Sequence, residues 1–149
     1  MIIYIVTAFI LQLLCSRYLA FSGVHINIML IFLIEIGLIR GSNYGQVFGF
    51  ITGLIEDLTT MGLIGARSLI RTLIGFLAGR LKGKFSVNNP IFQIILTFTV
   101  FVFYGFSMYF LSLLFSKQII SLGSIFLNAA VNAMLAPVFY FFLSRISAR

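Results

Sequence analysis

Between residues 45 and 58 the chain reads Gly45-Gln46-Val47-Phe48-Gly49-Phe50-Ile51-Thr52-Gly53-Leu54-Ile55-Glu56-Asp57-Leu58. With Gly41 just upstream, glycine falls at every fourth position, and Asp57 takes the next step. A step of four residues overshoots one helical turn by about 40°, so Gly41, Gly45, Gly49 and Gly53 form a shallow ribbon around a helix. Such a ribbon lets a second helix approach closely, which is how helices associate in lipid. The apolar residues between the glycines are continuous instead of alternating, so a barrel strand is a poor fit.

The composition supplies the solvent for such a helix. Of 149 residues, 61% are hydrophobic and 9% are charged, with a mean hydropathy of +1.16. Soluble domains carry about 45–50% apolar and ~25% charged residues. Charges this sparse cannot cover a water-facing surface, so most of the chain belongs in a membrane. A single Cys excludes a disulfide framework or thiolate cluster, and a single His excludes a histidine-based metal site. No metal or cofactor is therefore expected. The net charge of +7 does not point to nucleic acid, because the basic residues sit at the ends of apolar runs.

Those runs divide one membrane domain, 1–149, into six candidate spans at about 2–19, 24–39, 45–58, 62–81, 90–115 and 119–143. A full crossing takes roughly 20 apolar residues, so the second and third spans are short, and the third is either a crossing or a broken or tilted helix. The first span lacks a basic leader, and Leu13-Leu14 before Cys15 is a poor cleavage signal, so it reads as a mature helix. Pro90 suits the first turn of the fifth span. Arg40, Arg80, Lys82, Lys84, Arg145 and Arg149 collect on one side; Arg17, Lys117, Glu56 and Asp57 fall on the other. The positive-inside rule then places both termini in the cytoplasm. The expected class is an all-α polytopic membrane protein.

The fourth span carries a second small face: Gly65, Ser68, Thr72, Gly75 and Gly79. The third and fourth spans share a short connection, so they should pack antiparallel with the two small faces meeting. The fourth also holds Arg67 and Arg71, one turn apart. Charge inside a span needs a partner or water. Asp57 and Glu56 are the natural partners for Arg67, and Glu35 is the candidate for Arg71. Either these are ion pairs that fix helix register, or they line a polar cavity or partner site. In the sixth span, Asn128 and Asn132 lie one turn apart among Ala129, Ala130, Ala133 and Ala136, a further hydrogen-bonding small face. Pro137 should kink that helix. His25 reads as an interfacial polar residue. The fifth span has an aromatic coat with no cofactor motif. No nucleophile is set beside an activating base, so no catalytic residues are assigned and no enzyme activity is expected.

The run Gly49-Phe50 through Gly53, then Asp57-Leu58, followed by Gly65-Ala66-Arg67-Ser68-Leu69, resembles the central motif of the MreD family of rod shape-determining proteins. Asn132-Ala133-Met134-Leu135-Ala136-Pro137 is similar to the family's last helix. Length, six apolar runs and a small basic excess agree with the family over most of the chain. Ile26 stands where the family often has proline before the polar residue that opens its second span, and Glu35 and Arg71 lie outside the pattern.

The resemblance implies a non-enzymatic subunit, in the bacterial cytoplasmic membrane, of the machinery that elongates the side wall. Its implied partner is the single-span protein MreC, with the actin-like MreB, the glycosyltransferase RodA and a class B penicillin-binding protein nearby. The resemblance also implies an architecture similar to the six-helix substrate-binding subunits of energy-coupling-factor vitamin transporters. That likeness is one of fold and does not carry the activity over; the alternative function, a transport subunit with a small-molecule pocket, rests on the buried Arg67, Arg71 and Glu35, and a lipid-binding or lipid-processing protein is a third. Membrane lipid is expected around the chain in every case, and nucleic acid in none.

Overall fold

The computed structural model describes residues 10, 12, 25–59, 65–84, 89–115 and 121–147, the side chains of 115 and 142–147 excepted. Among these residues there are five helices and no strand: α1 (Ile28–Arg40), α2 (Ser42–Thr59), α3 (Ala66–Arg80), α4 (Pro90–Phe115) and α5 (Leu122–Ser147). The first candidate span, 2–19, falls outside the described residues except for Ile10 and Gln12.

The helix limits follow from local chemistry. α1 starts at Ile28, later than the expected 24, because Asn27 caps it: its Oδ1 accepts the Leu30 N–H at 3.1 Å. It stops where Gly41 takes a φ of 97°, in the region L side chains avoid, and the chain turns directly into α2. α1 is therefore only 13 residues long, about 20 Å at the helical rise. α2 runs unbroken over 18 residues, so its glycines do not interrupt it. α3 begins at Ala66 instead of 62, after Gly65 with its φ of 96°. Pro90 opens α4, and α5 continues through Pro137. Among the described residues, Pro90–Leu114 and Leu122–Phe141 are long and apolar enough to cross a membrane by themselves. The shorter α1 and α3 follow from the cap and turn residues that delimit them.

α1 is the centre. Every residue from Ile28 to Leu38 is buried, as expected of a helix that is hydrophobic all round. α2 and α3 pack against it and, most extensively, against each other. α5 packs on α1 and pairs with α4, which touches α3 lightly. The outside is apolar: Val47 and Phe50 on α2, Leu69, Leu73 and Leu77 on α3, Ile91, Ile95 and Phe110 on α4 are all exposed. The inside holds Glu35, Thr52, Asp57, Ser68, Arg71 and Asn132. Apolar outside and polar inside is the distribution that lipid selects.

The α2–α3 contact is backbone on backbone. A Cβ on Gly45 would overlap the Gly75 carbonyl, and one on Gly75 would overlap the Gly45 carbonyl. Gly49 faces the Arg71 carbonyl, Gly53 the Ser68 Cα and Gly79 the Ser42 backbone. This order makes the two helices antiparallel. Gly37 of α1 enters the same junction: a Cβ there would lie 3.0 Å from Ala78 Cβ and 3.1 Å from the Gly79 nitrogen.

Candidate functional site

The seam leads from the basic end of the helices to an acidic one. Arg40, Arg80, Lys82 and Lys84 lie at or just past the C-terminal ends of α1 and α3. At the opposite end α2 finishes with Glu56, Asp57 and Thr59, beside the start of α3.

Asp57 is buried, with its side chain at 0% exposure. Its Oδ2 accepts the N–H groups of Gly65 at 2.9 Å and Ser68 at 3.2 Å, and its Oδ1 accepts that of Arg67 at 3.3 Å. These are among the donors that a helix N-terminus leaves without intrahelical partners, at its positive end. Asp57 thus caps α3 from the end of α2. The Arg67 guanidinium comes to 3.6 Å, so the anticipated ion pair exists but is secondary to the cap.

Arg71 departs from the sequence expectation. It is fully buried and does not pair with Glu35. Its Nη2 binds Glu56 Oε2 and, at 3.2 Å, Asn27 Oδ1. Nη1 lies 3.7 Å from Met29 Sδ, and the guanidinium sits 5.9 Å from the Tyr104 ring centroid. Because α3 begins at Ala66, Arg71 lies about 7.5 Å from its start, within reach of the acidic end. Glu56 also holds Arg67, at 3.4 Å. Two carboxylates and two guanidiniums therefore form one internally neutral cluster.

The network continues into α5. Asn132 Oδ1 accepts the Asn27 N–H at 2.9 Å, and Asn132 Nδ2 donates to the His25 and Asn128 carbonyls at 3.0 and 2.7 Å. Asn128 Oδ1 accepts the His25 N–H at 2.8 Å. Gln12 donates to the Ile26 carbonyl at 3.0 Å and accepts the Ile28 N–H at 2.8 Å. Residues 25–27 are not helical, so their backbone groups need other partners. Asn128, Asn132 and Gln12 supply them. The two asparagines thus bind backbone across the fold, beyond forming a small helix face.

Three participants carry no local signal of their role. Glu56 as the bridge between both arginines, Asn27 as a link from Arg71 to α5, and Tyr104 as the ring beside Arg71 come together only through the fold. The remaining candidates separate. The seam glycines face one another inside the chain, where an outside helix cannot reach them while α2 and α3 are joined. Gly41 and Gly65 serve turns, and Pro137 lies within α5. Glu35 is buried elsewhere, facing α4 and α5.

A cavity of about 170 Å³ opens beside the network, lined by His25, Asn27, Tyr104, Ser124 and Asn128 among others. That is below the roughly 300–1,000 Å³ common for ligand pockets. A larger apolar groove of about 490 Å³ runs between α3 and α4 along Leu69, Ile70, Phe103, Phe106 and Phe110. No group of three or more metal-ligating side chains occurs among the described residues.

Residues 1–146 match the family described as rod shape-determining protein MreD. The chain belongs to the MreD family. No curated protein and no solved structure matches it. MreD is a family of membrane proteins tied to rod-shape determination, and the inside-out surface described above accords with a membrane setting. The stretch that carries the MreD resemblance is the seam and its cap: Gly45, Gly49 and Gly53 touch α3, and Asp57 closes on its N-terminus.

Proposed function

We propose that this chain is a non-enzymatic, multi-pass subunit of the bacterial cytoplasmic membrane that holds MreC and helps organise side-wall peptidoglycan synthesis. The observation that carries the reading is the family match over residues 1–146. Six crossings, with the short helices α1 to α3 enclosed by longer neighbours, and the basic end of the bundle in the cytoplasm complete the proposed topology. MreB, RodA and a class B penicillin-binding protein are its proposed neighbours in the complex.

The polar network of Asn27, Glu56, Asp57, Arg67, Arg71, Asn128 and Asn132 supports a scaffold, because these groups bind one another or backbone within the chain. The seam glycines are consumed by internal packing, so the partner face must be elsewhere. We assign the single MreC helix to the groove between α3 and α4, whose lining is apolar and aromatic. In lipid such a contact rests on side-chain packing.

The test is co-expression with tagged MreC, with a photo-crosslinking residue placed at Leu69, Phe103 or Phe110 and, for contrast, at Met134 on α5. MreC should co-purify in mild detergent and crosslink from the groove positions. Co-purification with crosslinks from Met134 alone would move the interface. Failure to recover MreC under any condition would remove the proposal. A rise in melting temperature with a vitamin-like ligand would favour the transport reading instead.

A further inference from the structure

Glu35 is used by nothing described so far. It sits in the middle of α1 with 3% of its surface exposed, and neither carboxylate oxygen has a hydrogen-bond partner among the described residues. It faces a small space that it shares with Gln93 and Thr97 of α4 and Tyr140 of α5, closed by aliphatic side chains. Gln93, Thr97 and Tyr140 are themselves buried. An oxygen-rich lining around one carboxylate, where three helices meet, is not what packing alone requires.

Removing an ionised carboxylate from water without a counter-charge is among the most costly acts in folding. Among the described residues no cation lines this space. Arg71 is held by Glu56 and Asn27 at the acidic end, and Arg40 lies over the Tyr44 ring at the basic end. The side chains lining the space are otherwise neutral, and Tyr140 is the other titratable group among them. With no cation among the described lining residues, a neutralising species that fits this space is small and comes from solution. The space is about 10 Å³, close to one water-sized sphere. That excludes a partner's lysine or arginine head. A single carboxylate balances one positive charge, which disfavours a divalent ion, and hard oxygen donors suit a small hard cation.

We propose that Glu35, with the oxygens of Gln93, Thr97 and Tyr140, forms a buried binding site for Na⁺. Through it the ion ties α1 to the α4–α5 pair, so the packing of the two halves depends on sodium. The inference is independent of which protein partner the chain holds.

The experiment uses the purified full-length chain in detergent and dicyclohexylcarbodiimide, which modifies buried protonated carboxyls. Labelling is located by mass spectrometry in NaCl, KCl and choline chloride at equal ionic strength. Na⁺ should slow labelling of Glu35 by about tenfold at about ten times its Kd, as mass action requires, and K⁺ should protect less. Thr97→Val and Tyr140→Phe should keep the label and lose the protection. In parallel, NaCl should raise the melting temperature over choline chloride, and Glu35→Gln should abolish that rise. Equal labelling in all three salts would overturn the site and leave a carboxyl that takes only a proton. Should Glu35 stay unreactive in every salt, the melting temperature decides: equal values in NaCl and choline chloride overturn the proposal.

Discussion

The α2–α3 pair and the α4–α5 pair are both antiparallel hairpins, yet they are held by opposite means. α2 and α3 touch through backbone, with Gly45, Gly49, Gly53, Gly75 and Gly79 leaving no room for a Cβ. α4 and α5 touch through side chains: Phe106 meets Phe126 edge-on at 6.1 Å, and Gly105 faces the side chain of Ile125. The difference concerns tolerance. A backbone atom cannot step aside without moving its helix, whereas a side chain can change rotamer. The first hairpin should be brittle to substitution and the second forgiving.

The largest expected effect is Gly49→Val. Its side chain would enter the Arg71 carbonyl, so we expect no monodisperse species on size-exclusion chromatography in detergent. Normal elution and melting would show that the seam can open, and would end the contrast. Next is Asp57→Ala, which strips the cap from α3. With three hydrogen bonds to a charged acceptor, each worth about 1.5–3 kcal/mol, we expect a loss of about 4 kcal/mol or more in denaturant unfolding. Adding Arg67→Met should not restore it, because the orphaned groups are backbone N–H donors. Restoration by the double variant would mean that the ion pair, not the cap, is what Asp57 provides.

Glu56 and Arg71 should behave in the opposite way. Glu56→Met alone leaves a buried guanidinium short of its carboxylate, a loss of about 3 kcal/mol or more, while Glu56→Met with Arg71→Met should regain much of it. Additive losses in that cycle would deny the coupling. Gly105→Ala in the second hairpin should cost about 1 kcal/mol, since Ile125 can shift. A loss as large as that of a seam glycine would erase the distinction between the hairpins. The smallest effect is expected for Leu113→Ala, on the exposed face of α4, within about 0.5 kcal/mol by thermal melting.

The brittle hairpin was also the legible one. Glycine spacing of four in α2 and the small face of α3 are local patterns, and their meeting follows from a short connection. One helix end was legible from a residue that acts on its own neighbours, Pro90 at the start of α4, whereas the Asn27 cap and the Gly41 turn that delimit α1 went unread and left its expected start at 24. What could not be read was any partnership set by tertiary approach. Asp57 looked like an acid awaiting Arg67, because the N–H groups it caps belong to another helix. Asn128 and Asn132 looked like a helix-packing pair, because the backbone they satisfy lies about a hundred residues away in the chain. Arg71 drew the wrong acid, Glu35, because its distance from the acidic end depended on where α3 begins. Glu35 itself sits opposite Gln93, Thr97 and Tyr140 only once α1, α4 and α5 are assembled.

The seam has a genetic consequence. Glycine is the one residue without a Cβ, so every missense change at one of these codons adds an atom where Gly45 meets Gly75, or where Gly49 and Gly53 meet α3. No conservative missense exists at such positions. Repair cannot come cheaply from the facing position either, since what stands there is main chain, common to every amino acid. In a saturation screen these sites should admit silent changes alone, and suppressors of a damaged glycine should map to the helix ends and turns, where a whole helix can be moved, and not to the residue across the seam.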